Sequence, residues 1–219
     1  ISIIMAMFNN REDLEELRDD IRAFYANGGS IRRLHRPSPQ EFLKEVVSAH
    51  QPCIITGLLD DWGAMEAWKT TDGFLASAPS SVLVNVTPDG RADAVNEDGY
   101  FAKPAEVEME TQTFMEMLES RETDDAVPYL SRQCDNIREL MPSLLDSCTE
   151  SIPLGDEAFG TEVEAVNLWI GDERSVSSTH KDHFENFYCV VRGTKEFLLF
   201  PPCDVMWLTS RSYETAEYK

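Results

Sequence analysis

The stretch His180-Lys-Asp-His-Phe-Glu-Asn-Phe-Tyr-Cys-Val-Val-Arg-Gly-Thr-Lys-Glu-Phe-Leu-Leu-Phe-Pro-Pro202 holds two β-forming runs, Phe187 to Val191 and Lys195 to Phe200. Between them lies Arg192-Gly193-Thr194, so the pattern predicts an antiparallel hairpin with a three-residue loop. Just upstream, Ser175 to Asp182 reads as a further strand. Successive side chains of a strand point to opposite faces, which puts His180 and Asp182 on one face and Lys181 on the other. The same alternation groups Lys195 with Phe197 and Leu199.

Working outward, Cys53 to Leu58, Val82 to Thr87, Val127 to Ser131 and Val163 to Ile170 are short β-branched or aromatic runs bounded by Gly, Pro, Asp or Asn. Helical stretches are expected near Thr111 to Ser120 and Asp135 to Ser147. The first fifty residues read differently. Beyond an apolar stub, Ile1 to Phe8, Asn10 can cap a helix through Tyr25, with Leu14, Leu17, Ile21 and Phe24 at helical spacing and Gly28 and Gly29 ending it. Ser38, Pro39 and Glu41 form a capping box that opens a second amphipathic helix, reaching about His50. The expected organisation is an N-terminal helical segment over 1–50 and, over 51–219, an α+β domain that is mainly β, an antiparallel barrel or sandwich decorated by helices.

Composition bounds the function. Forty acidic against 19 basic side chains give a formal charge of −21 over 219 residues, which opposes binding to a nucleic-acid backbone. With 42% apolar and 10% aromatic residues the chain can bury a core. Its longest apolar runs are far short of the roughly 18 to 20 residues that span a bilayer, so a soluble protein without a membrane partner is expected. Five cysteines, with no CxxC pair and no zinc-type spacing, favour a reducing compartment, the cytoplasm or nucleus. The chain opens on Ile1, with Met5 and Met7 close behind, so its first residue is not expected to be the natural start.

An imidazole and a carboxylate two residues apart are part of the 2-His-1-carboxylate set that holds non-haem Fe(II). The spacing alone also fits two ordinary surface side chains, because four histidines and 17 aspartates produce about 0.3 such pairs by chance. Lys195 opens an apolar strand, where it either faces inward to an anion or faces solvent at a hairpin end. Glu106 to Glu110 reads as a solvated acidic face or a docking site for a basic partner. Cys189, interior to a strand, reads as a small buried hydrophobe and not as a peptidase nucleophile.

Taken together, the stretch from His180 to Pro202, Pro52-Cys-Ile-Ile-Thr-Gly-Leu, Asp61-Trp62, Val86-Thr-Pro-Asp-Gly-Arg-Ala-Asp-Ala-Val95 and Val127-Pro-Tyr-Leu-Ser-Arg-Gln-Cys134 resemble the Jumonji-C (cupin-like) 2-oxoglutarate oxygenases. The likeness runs from about Pro39 to Pro202 and points to the small branch that hydroxylates lysines of developmentally regulated GTP-binding proteins. It implies a double-stranded β-helix (jelly-roll) barrel, Fe(II) bound by His180 and Asp182, and 2-oxoglutarate and O2 as cosubstrates. Lys195 and Tyr129 match residues that hold the distal carboxylate of 2-oxoglutarate. Asn186 and Ser177 match polar neighbours of that cosubstrate. Asn167 and Trp169 would line the pocket, with core packing an equal reading for Trp169.

The resemblance also implies a second histidine ligand from a late strand. Only 37 residues follow Asp182, and the sole histidine among them is His183. His183 would alternate away from the Asp182 face, and His35 and His50 lie in or beside the N-terminal helices, where surface or cap roles suit them. The expectation is therefore two of three iron ligands, a barrel incomplete at its C-terminal end with an unpaired sheet edge, and a natural chain continuing past Lys219. The function implied is protein hydroxylation, most directly of lysine. A histone lysine demethylase and an inactive cupin-like interaction module are the alternatives, and a homodimer is a state the resemblance allows.

Overall fold

The computed structural model describes residues 11–25, 30–120, 126–208 and 211–219. The expected stub Ile1 to Phe8, the Asn10 cap and the terminating Gly28 and Gly29 lie outside them. Among the described residues no helix is long and apolar enough to cross a membrane. The chain divides into two compact units, residues 1–57 with 195–211, and residues 58–194 with 212–219.

In the first unit, α1 (Arg11–Tyr25) half-buries Leu14, Leu17 and Ile21 as the helical spacing requires. It is tied to a 3-10 turn, Pro202–Trp207, by Arg22, whose Nη2 donates to the buried Asp204 Oδ2 at 2.7 Å. The Arg11 and Arg18 guanidinium groups lie 4.9 and 5.5 Å from the Trp207 ring centroid, a cation–π arrangement. β1 (Arg32–His35) and β2 (Cys53–Thr56) pair in parallel, and α2 (Pro39–Phe42) lies between them in the chain. The N-cap of the predicted box is present: Ser38 Oγ accepts the Glu41 N–H at 3.2 Å, and Pro39 takes the first turn, where no N–H is needed. The predicted helix does not run on as one α-helix to His50, because it widens into a π turn over Leu43–Val47 and ends with His50 at φ +51°.

The second unit holds the main core. α3 (Ala64–Ala67) and α4 (Thr71–Leu75) bring Trp68 and Phe74 edge to face at 5.6 Å. β3 (Ser81–Thr87) turns Val82 and Val84 inward by strand alternation. After it come β4 (Arg91–Ala92), β5 (Ala94–Val95), β6 (Phe101–Lys103), β7 (Ala105–Glu110), α5 (Thr111–Ser120) and β8 (Val127–Tyr129). Then follow α6 (Asn136–Leu140), α7 (Pro153–Phe159), β9 (Val176–Ser177) and β10 (Thr215–Glu217). β3 is the centre of an antiparallel sheet ordered β7-β3-β8; β6 lies between β5 and β10; β4 and β9 form a short parallel pair. Val82, Val84, Phe114, Leu130, Ile137 and Leu144 are among the residues that close the core. The helix expected over Asp135 to Ser147 is broken after α6, since Pro142 excludes its predecessor from helical backbone and a 3-10 turn, Pro142–Asp146, takes over.

Four predicted strands are corrected. Val163 to Ile170 is not a strand: Val166 and Leu168 donate their N–H groups to Asp135 Oδ1 (2.7 Å) and Asn136 Oδ1 (2.8 Å), and a single bridge joins Ile170 to Leu130. Side-chain carboxylate and amide groups here occupy the backbone groups a ladder would use. Ser175 to Asp182 shrinks to β9, paired with β4. The hairpin over Phe187 to Phe200 does not form, because neither run is paired in a ladder. Burial still alternates over 187–191, with Phe187, Cys189 and Val191 half-buried and Tyr188 and Val190 more open, at 39% and 41%, whereas 196–200 is exposed throughout.

Candidate functional site

Gly90 sets the scaffold under the site. It takes φ +82°, and a Cβ there would lie 1.9 Å from the Arg174 carbonyl oxygen, so only glycine lets the two backbones meet. Its own carbonyl accepts the Val176 N–H at 2.9 Å, and the ladder continues with Arg91 opposite Val176 and Ala92 opposite Ser177. Beyond Ser177 the backbone ladder stops. The next link is the Ser178 hydroxyl, which donates to the Asp93 carbonyl at 2.7 Å.

From that anchored point the chain runs irregularly through His180 and Asp182, so the two meet in a loop and not on one strand face. His180 Nδ1 lies 2.6 Å from the Ser178 carbonyl, to which it donates its proton. That bond leaves the Nε2 lone pair free, and Nε2 faces Asp182 Oδ1 at 3.4 Å. The other carboxylate oxygen, Oδ2, accepts from the Asn186 side-chain amide at 2.9 Å. Both members of the pair are open to solvent, 57% and 56% exposed, so an incoming ion reaches them without rearrangement of the core.

This is a nitrogen and an oxygen donor side by side, each residue held from behind by a hydrogen bond, the kind of outer-shell support that metal ligands carry. Adjacent donors on a first-row metal with bonds of about 2.1 Å lie roughly 3 Å apart, so the 3.4 Å gap fits two neighbouring ligands. Without metal, a proton on Nε2 can bridge the same gap. Imidazole with carboxylate suits Fe(II). Among the described residues no group of three His, Cys, Asp or Glu side chains gathers to hold a metal.

The remaining predicted residues fall elsewhere. Tyr129 is buried on β8, opposite Asn85 in the ladder. Tyr188 is close to it, and burial together with the Tyr129 hydroxyl pushes the Tyr188 phenol up to about 12. Trp169 stacks obliquely on Tyr188 with centroids 5.5 Å apart, half open to solvent, so it is not a plain core residue. Asn167 serves structure, its Oδ1 capping the Asn136 N–H at 3.1 Å. Ser177 is exposed on β9, and Lys195 belongs to the other compact unit. Asn186 is adjacent to the pair but spends its amide hydrogens on Asp182 and on the Phe184 carbonyl at 3.3 Å. Sequence reading missed Ser178 and Asp93. The signal available was the need of any ligating imidazole for an acceptor at its second nitrogen.

An α+β scaffold of short antiparallel and parallel sheets decorated by helices is consistent with a cupin-like domain. The chain belongs to the cupin-like (Jumonji-C) family, whose domain model matches residues 39–219. It is 36% identical over 213 residues to the human bifunctional peptidase and (3S)-lysyl hydroxylase JMJD7, covering 94% of this chain and 67% of that protein. It is 37% identical over 212 residues to the lysine-specific demethylase JMJ32 of Arabidopsis thaliana, covering 94% and 61%. JmjC domain-containing protein E of Dictyostelium discoideum is 38% identical over 202 residues, covering 86% and 57%. The chain thus spans 57% to 67% of the length of these relatives.

Proposed function

We propose that the protein is an Fe(II)- and 2-oxoglutarate-dependent protein hydroxylase acting on lysine. The observation that carries the reading is the pair itself, His180 Nε2 and Asp182 Oδ1 3.4 Å apart with their far sides tied to Ser178 and Asn186. When bound, the iron supplies oxygen activation coupled to decarboxylation of 2-oxoglutarate. His180 and Asp182 hold it. Lys195 and Tyr129, by their match to the family's motif, take the distal carboxylate as a charge-assisted hydrogen-bonded contact, with Ser177 and Asn186 as polar neighbours of the cosubstrate. The charge of −21 steers a basic protein segment toward the surface, and lysine agrees with what JMJD7 is named for. Five free thiols agree with a reducing cytoplasm or nucleus.

The test is incubation of the protein with Fe(II), ascorbate, 2-oxoglutarate and a lysine-bearing protein substrate, such as a GTP-binding protein. Succinate release with one added oxygen atom on lysine supports the reading. A second reading, lysine demethylation, is favoured by the likeness to JMJ32, and formaldehyde from methyl-lysine peptides without lysine oxidation would replace the first. No turnover in either assay would leave a non-catalytic cupin-like module.

A further inference from the structure

Ser178 carries two contacts, of which the proposed function uses only the one to His180. Its hydroxyl donates to the Asp93 carbonyl at 2.7 Å, 85 positions away in the chain, and its own carbonyl lies 2.6 Å from His180 Nδ1. The first contact falls one residue past the last ladder pair, Ala92 and Ser177, so the hydroxyl prolongs the β4–β9 ladder where backbone pairing ends. Asp93 takes φ +52° between β4 and β5, and there its carbonyl meets Ser178.

The consequence reaches the imidazole. A backbone carbonyl accepts best near its own plane, so anchoring the Ser178 side chain restricts the peptide plane that receives the His180 proton. A fixed acceptor at Nδ1 selects one tautomer and aims Nε2 at Asp182. We infer that Ser178 is a positioning residue, a latch onto Asp93 that sets the tautomer and direction of His180. This rests on reading His180 and Asp182 as a metal pair.

The experiment uses the full chain and two readouts, the His180 tautomer by long-range proton–nitrogen NMR and Mn(II) affinity by EPR titration. Ser178→Ala removes the donor, Ser178→Cys keeps the shape with a weak donor, and Ser178→Thr restores the hydroxyl. The latch predicts an Nδ1–H tautomer in the wild type and a mixture in the alanine and cysteine variants. It also predicts an Mn(II) dissociation constant raised about tenfold, at the low end for a residue behind a ligand, with the threonine variant recovering both. Alanine and cysteine variants that keep the tautomer and bind Mn(II) within twofold of wild type overturn it. If wild type and His180→Ala bind Mn(II) alike, the metal reading fails, and the tautomer comparison alone decides the latch.

Discussion

Asn186 donates its side-chain amide to Asp182 Oδ2 at 2.9 Å, while Asp182 Oδ1 faces His180 Nε2 at 3.4 Å. The carboxylate is thereby divided in use, one oxygen held and one presented. With its second amide hydrogen on the Phe184 carbonyl, Asn186 keeps only its own carbonyl oxygen for a cosubstrate. The geometry therefore gives it a share in aiming the Asp182 carboxylate.

Asn186→Ala is expected to weaken Mn(II) or Fe(II) binding by about 10- to 100-fold, as loss of a ligand's hydrogen-bonded support does. Its melting temperature should stay near wild type, because Asn186 is exposed and surface truncations cost about 0.5 kcal/mol or less. A raised KM for 2-oxoglutarate with unchanged metal affinity would assign Asn186 to the cosubstrate instead.

Asn136 predicts a stability effect distant from the chemistry. It is 1% exposed; its Nδ2 donates to the Leu168 and Arg132 carbonyls and its Oδ1 accepts the Leu168 N–H. Asn136→Ala removes these part-buried hydrogen bonds, at about 1–3 kcal/mol for each Leu168 group left unsatisfied, whereas the Arg132 carbonyl can turn to water. A fall of at least about 2 kcal/mol in urea unfolding is expected. A change under 0.5 kcal/mol would show that the 166–168 segment is held by other contacts.

The same residues show what the sequence conceals. Local signals are legible where the partner is near in the chain: Ser38 with Glu41 marks a cap, and the run Val82 to Thr87 marks the strand that forms β3. Val163 to Ile170 has strand composition, yet Asp135 and Asn136 take its amide hydrogens, and nothing local announces that competition. Phe187 to Val191 keeps a strand's alternation without a ladder, because composition reports fitness for pairing while pairing depends on a neighbour. For the site, the two-residue spacing singles out His180 and Asp182, and the structure brings them within 3.4 Å in a loop, not on the shared strand face that alternation predicts. The loop brings them together with support from Asp93, far away in sequence.

Alkaline pH should destabilise the fold through two groups. Burial pushes the Cys189 thiol up to about 11, and burial with the Tyr129 hydroxyl pushes Tyr188 up to about 12. Both hold their protons more tightly when folded, so their contribution is fully present below their unfolded pKa values. It is lost as pH rises from about 8.5 to 11 for the thiol and from about 10 to 12 for the phenol. Melting temperatures measured from pH 8 to 12 should decline, and the decline should be shallower in Cys189→Ala and Tyr188→Phe. Wild-type slopes in both variants would assign the loss to other groups.

Two glycines with nearly equal backbone angles separate strain from collision. Gly90 and Gly99 take φ of +82° and +84°, but a Cβ at Gly90 meets the Arg174 carbonyl oxygen at 1.9 Å, whereas one at Gly99 meets nothing within 4 Å. Gly99→Ala therefore carries only the left-handed backbone cost, about 1 kcal/mol or a little more. Gly90→Ala carries that cost and must also part β4 from β9, because Arg174 offers backbone there and not a side chain that can swing away. The parting moves Val176 and Ser177, and with them Ser178 and His180. Gly90→Ala is expected to lose at least twice the stability lost by Gly99→Ala and, at temperatures where it is still folded, to bind Mn(II) more weakly. Gly99→Ala should bind it as wild type does. Equal losses in the two variants, with Mn(II) affinity intact in both, would mean that the β4–β9 junction does not position the metal pair.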